Sequence, residues 1–312
     1  MLDLRYSSSS VLLYDPQSTL RHNTRVALMN IGFGEVDAVN GREEFLECLE
    51  KKQYDVIIAD MLTRDGNLNT VVRQMRQSDI GKNPFINIIV TLWDTSPEHV
   101  YAGIQAGADD LISRPMSTSQ LAERVQGLVV NRKPFIVTED YIGPERRQIV
   151  RGLSEGKLMV VPNSLKAKVE NKPEFAATPE NIRQTLCEVS DRQVSIYTEQ
   201  FLRYSSKVVG LGAELSQLEE RLVLLIQMQK MNENLMRRIL NTEYAHINSL
   251  CEAFADVLVR IAKSARELTA QDKELMYQIP FAIHKACKEV RTSAGLAFDI
   301  RDVSQQLKQS NM

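Results

Sequence analysis

Val56-Ile57-Ile58-Ala59-Asp60 decides the fold. A short β-branched run closed by an acid predicts a buried strand whose carboxyl end carries a functional group. Val11-Leu12-Leu13-Tyr14 is a second such run and ends in Asp15; Ile86 to Thr91 is a third and ends in a hydroxyl. Farther on come Ala106-Gly107-Ala108-Asp109-Asp110, a short strand at Leu111-Ile112, and Arg114-Pro115. Helical spacing fills the intervals at 17–31, 42–51, 68–77, 97–106 and 118–130, with Gly32-Phe33-Gly34 ending the first helix. Five strands alternating with five helices predict an α/β doubly wound parallel sheet of flavodoxin-like form. In such sheets the site lies at the carboxyl ends of the strands, where Asp15, Asp60 and Thr91 fall.

The chain has 312 residues, 43% hydrophobic and 25% charged, enough for about two domains. No apolar stretch approaches the ~20 residues of a membrane span, and no secretory leader is evident, so a cytoplasmic protein is expected. Cys48, Cys187, Cys251 and Cys287 stand alone and signal neither disulfides nor zinc. Charge is balanced: 14 Lys+Arg against 17 Asp+Glu over residues 1–133, 7 against 6 over 134–174, and 17 against 17 over 175–312. No basic body for nucleic acid is present.

Residues 8–133 resemble the receiver domain of two-component response regulators, on the spacing from Asp15 through Gly32-Phe33 to Asp60 and on the Ala106 to Asp110 run. The resemblance implies that Asp60 accepts a phosphoryl group from a histidine kinase or phosphotransfer protein. It implies that Thr91 and the cation at 114 cradle the transferred oxygens, and that Asp15, Asp60 and the Leu62 carbonyl hold Mg²⁺. The match departs from the family at chemically decisive places. Pro16 replaces the second acid of the family's pair and offers no oxygen, so Mg²⁺ binding is expected to be weak or absent. Arg114 replaces the usual Lys with a planar fork that could pair bidentately with Asp60. Leu111 replaces the usual switch aromatic, and the loop after Asp60 is about two residues shorter than the family's. Asp15-Pro16 also suits the start of a helix, Asp as N-cap and Pro at the first turn.

Residues 134–179 read as an appendage and linker: a strand at Pro134–Val137, a turn from Tyr141 with Arg146 and Arg147, Arg151 beyond it, an extended piece from Lys157, and a polar stretch from Asn171. Residues 180–312 predict an all-α, long-helix or coiled-coil domain. Val194, Tyr197, Phe201, Tyr204, Val208, Leu211, Leu215, Leu218, Leu222 and Leu225 step by three and four, and Gln229, Asn232, Met236 and Ile239 keep the register. Gly210 and Gly212 suit the turn of a helical hairpin, although the uninterrupted register argues that one helix passes through them. The phase shifts near Thr242, and Pro280 is expected to break the pattern before a last helix over Ile283 to Leu307. A seam this long must be buried, in a bundle within one chain or between two chains; a homodimer or a helical protein partner is favoured.

The second segment shows no enzyme signature, and no enzymatic activity is expected. The expectation is an atypical response regulator with weakened or lost phosphorylation at Asp60, acting through protein contacts of its helices. The alternatives are a phosphorylation-independent docking scaffold, or a phosphotransfer or phosphatase output using His246, His284, or Asp302 with Gln306.

Overall fold

The computed structural model describes residues 6–63, 66–146, 158–240, 242–264 and 267–310; at 62, 63, 66 and from 293 onward the description is of backbone alone. The chain divides into two compact units, Met1–Cys187 and Glu188–Met312.

In the first unit, β1 (Ser10–Tyr14), β2 (Glu35–Val39), β3 (Val56–Asp60), β6 (Asn87–Leu92) and β7 (Asp110–Ser113) form one sheet in the order β2-β1-β3-β6-β7. All four neighbouring pairs are parallel. This is the flavodoxin-like topology that the alternation of strands and helices predicts. Every residue of β1, β3 and β6 is buried, because both sheet faces are covered by helices. Side chains alternate between the faces. Val11, Leu13, Val56, Ile58, Ile89 and Ile112 join one core with α1 (Ser18–Ile31) and α5 (Thr118–Val130). Leu12, Tyr14, Ile57, Ala59, Ile88 and Val90 join the other with α2 (Arg42–Lys51), α3 (Leu68–Arg76) and α4 (Pro97–Ala106). After β3 the chain forms a small hairpin, β4 (Leu62–Thr63) with β5 (Gly66–Asn67), where the sequence suggested only a short loop.

Residues 134–179 fall within the first unit. Phe135–Val137 (β8) pairs antiparallel with Ile142–Pro144 (β9), so the expected turn is a second strand. The Arg146 guanidinium points inward and donates to the carbonyls of Ala108 and Asp109; Arg147, Arg151 and Lys157 lie outside the described residues. On α6 (Ser164–Val169), Leu165 is fully buried in the core beneath α5. Asn163 hydrogen-bonds to Asn87 and to the Leu128 carbonyl. Gln53 donates to the Ala177 carbonyl at 2.9 Å, in the polar stretch that begins at Asn171.

The second unit is all-helical. Here α7 (Pro179–Gly210, in which the unit boundary falls), α8 (Leu215–Ile239), α9 (Asn248–Ala262) and α10 (Ala270–Ser310) share one core. Of the two readings at Gly210 and Gly212 the turn is the one formed: the helix stops at Gly210 and restarts at Leu215, with the Gly212 N–H donating to Gln217. Gly210 and Gly212 carry the conformational freedom that loosens a helix even where the heptad register is unbroken. Conversely, α10 continues through Pro280. Met276, Ile283 and Cys287 on both sides of the proline are fully buried in the same core, and that packing outweighs the lost backbone bond. Val194, Tyr197, Phe201 and Val208 of the heptad seam are buried within the chain, with Phe201 packed edge-on to Phe254 at 5.1 Å. The seam residue Asn232 is satisfied by the Cys251 carbonyl at 2.7 Å. Leu215 and Leu222, on the same seam, stay exposed.

Candidate functional site

Alternation along the strands assembles the site. Asp15 follows β1 with the parity of Val11 and Leu13; Asp60 ends β3 with that of Val56 and Ile58. Thr91 and Arg114 continue the parity of Ile89 and Ile112. All four side chains therefore belong to one face at one end of the sheet. Cross-strand register sets Asp60 beside Thr91 and Thr91 beside Ile112. The Arg114 N–H donates to the Leu92 carbonyl at 2.7 Å and extends β7 toward the site; the Arg114–Pro115 peptide bond is cis.

Asp15 is 0% exposed, Asp60 3%, Thr91 0% and Arg114 8%. The guanidinium serves all three partners. Its Nη2 donates to Asp15 Oδ2 at 2.7 Å, its Nε donates to Thr91 Oγ1 at 3.0 Å, and the same Nε lies 3.6 Å from Asp60 Oδ2. The bidentate Arg114–Asp60 pair suggested by the sequence does not form; the closest ion pair is with Asp15. Geometry explains the preference, since Asp15 meets the tip of the fork at Nη2 while Thr91 takes the Nε hydrogen bond and leaves Asp60 farther from the same nitrogen. Asp15 is also not the N-cap of α1. Its Oδ1 accepts the Gln17 N–H at 2.9 Å, and Gln17 takes the cap position with Ser18 starting the helix. Arg21 closes the turn by donating to the Asp15 carbonyl at 2.7 Å.

A cleft of about 260 Å³ opens beside Arg114, lined by Asn23, Thr24, Trp93, Met116 and Ser117 among others. The only tryptophan of the chain thus borders the site and can report on it.

Mg²⁺ requires near-octahedral oxygen coordination. Both Asp15 oxygens are engaged, by Gln17 and Arg114, and the guanidinium contacts both carboxylates. Among the described residues no group of three or more His, Cys, Asp or Glu could hold a metal. Leu62 begins β4, and its side chain is outside the description. A divalent cation at this place would compete with Arg114 and the Gln17 N–H for the Asp15 oxygens. Restoring both family residues, Pro16→Asp with Arg114→Lys, is expected to raise Mg²⁺ affinity at least about tenfold by adding a carboxylate and removing the fork. Calorimetric titration of the double variant against wild type measures this, and equal affinities would refute the assignment.

Signals for other roles are weaker. His246 is exposed in a 3-10 turn. His284 lies on α10 with Nδ1 3.2 Å from Thr198 Oγ1; burial pushes its pKa down, with Glu199 opposing and Arg291 and Lys288 reinforcing. Asp302 and Gln306 fall where side chains lie outside the described residues.

Sequence reasoning missed a second buried cluster, at the opposite ends of the strands. Asp109 receives Arg132 Nε at 2.7 Å, Arg76 Nη2 at 2.8 Å and the Ile88 N–H at 2.8 Å. Arg76 also donates to the Gly107, Pro84 and Ile86 carbonyls. The Phe135 ring lies 5.0 Å from the Arg76 guanidinium and 5.1 Å from that of Arg132. The Ala-Gly-Ala-Asp-Asp run was the visible signal. Gly107 has φ +98°, and a Cβ there would lie 2.9 Å from the Ile142 carbonyl oxygen, so this glycine is required where β9 crosses.

Residues 11–126 match the family described as response regulator receiver domain, and this segment is a receiver domain of two-component signalling. Curated relatives include the transcriptional regulatory protein TrcR of Mycobacterium tuberculosis, 29% identical over 38% of this chain and 44% of the relative. The response regulator MprA of Mycobacterium leprae is 26% identical over 46% of this chain and 64% of the relative. The chain thus spans roughly half to two thirds of the length of these two. Among solved structures, the Vibrio cholerae chemotaxis protein CheY4 is 26% identical over 38% of this chain and 96% of its own, with a TM-score of 0.35. The receiver domain of the Pseudomonas aeruginosa sensor kinase PA1611, solved with magnesium in its cleft, is 19% identical over 38% of this chain and 94% of its own, with a TM-score of 0.34.

Proposed function

We propose that this chain is an atypical response regulator in which an internal arginine has taken over the cation role at the phosphorylation site. Asp60 occupies the phosphoacceptor place, and a histidine kinase or phosphotransfer protein is the expected donor. A carboxylate accepts a phosphoryl group only where positive charge offsets the approaching anion and positioned donors receive its oxygens. In this receiver the charge is supplied by Arg114, which is held by Asp15 and Thr91 and is not a mobile ammonium. Phosphorylation is accordingly weakened or lost. Output passes through protein contacts of the helical unit, with a helical partner or a second copy of the chain; the balanced charge of that unit argues against nucleic acid. Among the described residues no helix is long and apolar enough to cross a membrane.

The observation that carries the reading is the contact of one buried guanidinium with both Asp15 and Asp60. The test is incubation with beryllofluoride and Mg²⁺, or with a small phosphodonor, followed by intact mass and Trp93 fluorescence. A substoichiometric adduct and a small fluorescence change are expected. A stoichiometric adduct that disappears in Asp60→Asn would overturn the weakened site and restore an ordinary receiver.

The Arg114–Thr91 bond favours a second reading. Thr91 Oγ1 already accepts from Arg114, which fixes the position of the hydroxyl without phosphate, so the receiver would be a docking module independent of phosphate. Complete absence of an adduct, with partner binding unchanged in Asp60→Asn, selects that reading.

A further inference from the structure

We infer that the outer face of α8 is the surface through which the chain pairs with a second copy of itself, the two helices running antiparallel. The inference rests on the proposal that the helical unit self-associates, and it names the surface and its geometry.

Helix α8 is apolar on two opposite sides. Its inner side, with Leu224, Leu225, Met228, Met231, Leu235 and Ile239, is buried in the bundle core. At 3.6 residues per turn, Leu215, Glu219, Leu222, Val223, Ile226 and Lys230 fall within one face about 100° wide on the other side. The apolar members of that face are open to solvent: Leu215 is 76% exposed, Leu222 45%, Val223 55% and Ile226 58%. A helix facing a core on one side only needs no such second stripe. Beside the face, a cleft lined by Leu218, Leu222, Leu225 and Ile261 extends the apolar surface. Contiguous exposed apolar surface of this kind marks an interaction site.

Charge selects the occupant. The N-terminal half of α8 carries Glu219, Glu220 and the buried Arg221, and the C-terminal half carries Lys230, Arg237 and Arg238 with Glu233 among them, a balance of −1 against +2. A parallel pair would set Glu219 against its own copy and Lys230 against its own copy. An antiparallel pair centred between Leu224 and Leu225 sets Glu219 opposite Lys230 at both ends and Val223 opposite Ile226 in the middle. The central turns of the face are therefore self-complementary in sign and in hydrophobicity, as a two-fold interface requires, with Glu233 falling opposite the neutral Ser216.

The test uses the full chain in sedimentation equilibrium at physiological salt, with circular dichroism melts to confirm that each variant is folded. Wild type is expected to dimerise at micromolar concentration. Ile226→Glu is expected to weaken the dimer at least about a hundredfold, because each substitution enters a two-fold interface twice. Glu219→Lys and Lys230→Glu should each weaken it about tenfold, and the double reversal should return it to within about threefold of wild type. A dimer unaffected by Ile226→Glu overturns this face while leaving self-association intact. Failure of the double reversal to restore pairing overturns the antiparallel arrangement. A wild-type monomer at 100 µM removes both face and pairing. Capture of an unlike helical protein by a monomer, abolished by Ile226→Glu, gives the face to another partner and overturns self-pairing. None of these outcomes depends on the beryllofluoride result, so the receiver reading stands or falls separately.

Discussion

Asp109→Ala is expected to lower the unfolding free energy by about 3–5 kcal/mol, the usual consequence of stripping a buried ion pair of one partner. Arg76 and Asp109 side chains are both 1% exposed. Without the carboxylate, Arg76 keeps its bonds to the Gly107, Pro84 and Ile86 carbonyls but lies buried as a charge with its anion gone. Arg132 loses the same anion, and the Ile88 N–H loses its acceptor. The network joins α3, the turn before β7 and the end of α5, so the loss should be global and appear as a lower urea midpoint. Asp109→Asn, which keeps acceptors without charge, should cost less. A change under about 1 kcal/mol in Asp109→Ala would show that the cluster is not holding these elements together.

The same carboxylate predicts a pH dependence. Burial opposes its ionisation, but the Arg132 and Arg76 guanidiniums and the Ile88 N–H prevail and hold its pKa below the ordinary Asp range. A group whose folded pKa is depressed contributes stability that is present above the unfolded value of about 3.9 and lost as pH falls through the folded one. Wild type should therefore shed stability in acid, below about pH 4, along a steeper curve than Asp109→Ala. Parallel curves would contradict the assignment.

Arg114→Ala is the second large effect, again about 3–5 kcal/mol, because it leaves Asp15 and Asp60 as buried carboxylates without the cation between them. This variant also separates charge compensation from mere packing. With the guanidinium gone, the two carboxylates it contacts lose their shared cation, and millimolar Mg²⁺ should recover part of the loss by binding the folded state. NaCl at matched ionic strength should not. Wild type, with the arginine in place, should respond little to either salt. A loss below about 1 kcal/mol, or recovery by NaCl equal to that by Mg²⁺, would show that Arg114 is not the internal counter-ion.

Much of the receiver was legible because its signals are local and periodic. Val56–Ala59 and Val11–Tyr14 are short β-branched or apolar runs between amphipathic stretches, and period-two alternation forces Asp15, Asp60, Thr91 and Arg114 to one face once the strands are parallel. The preference of Arg114 for Asp15 was not legible. It depends on angles between three side chains brought together from strands far apart in sequence. The Arg76–Asp109–Arg132 cluster was hidden for the same reason, visible only as an unexplained Ala-Gly-Ala-Asp-Asp run. Leu165, buried in the core from α6, and Ala177, which accepts from Gln53, show the same limit from another side, since local sequence carries no signal for the distant residues it meets.

In the helical unit, local spacing and tertiary packing separate cleanly. Heptad spacing alone determined that residues 194–210 and 215–239 are helical, because side-chain period follows from backbone geometry. Whether the seam is one helix or two, and which of its residues face a core, was decided by packing: the chain turns at 211–214, Phe201 meets Phe254, and Leu215 and Leu222 are left outside. Periodicity specifies a face, but only the arrangement of distant segments specifies what that face meets, since burial free energy depends on the area covered and not on the sequence that covers it.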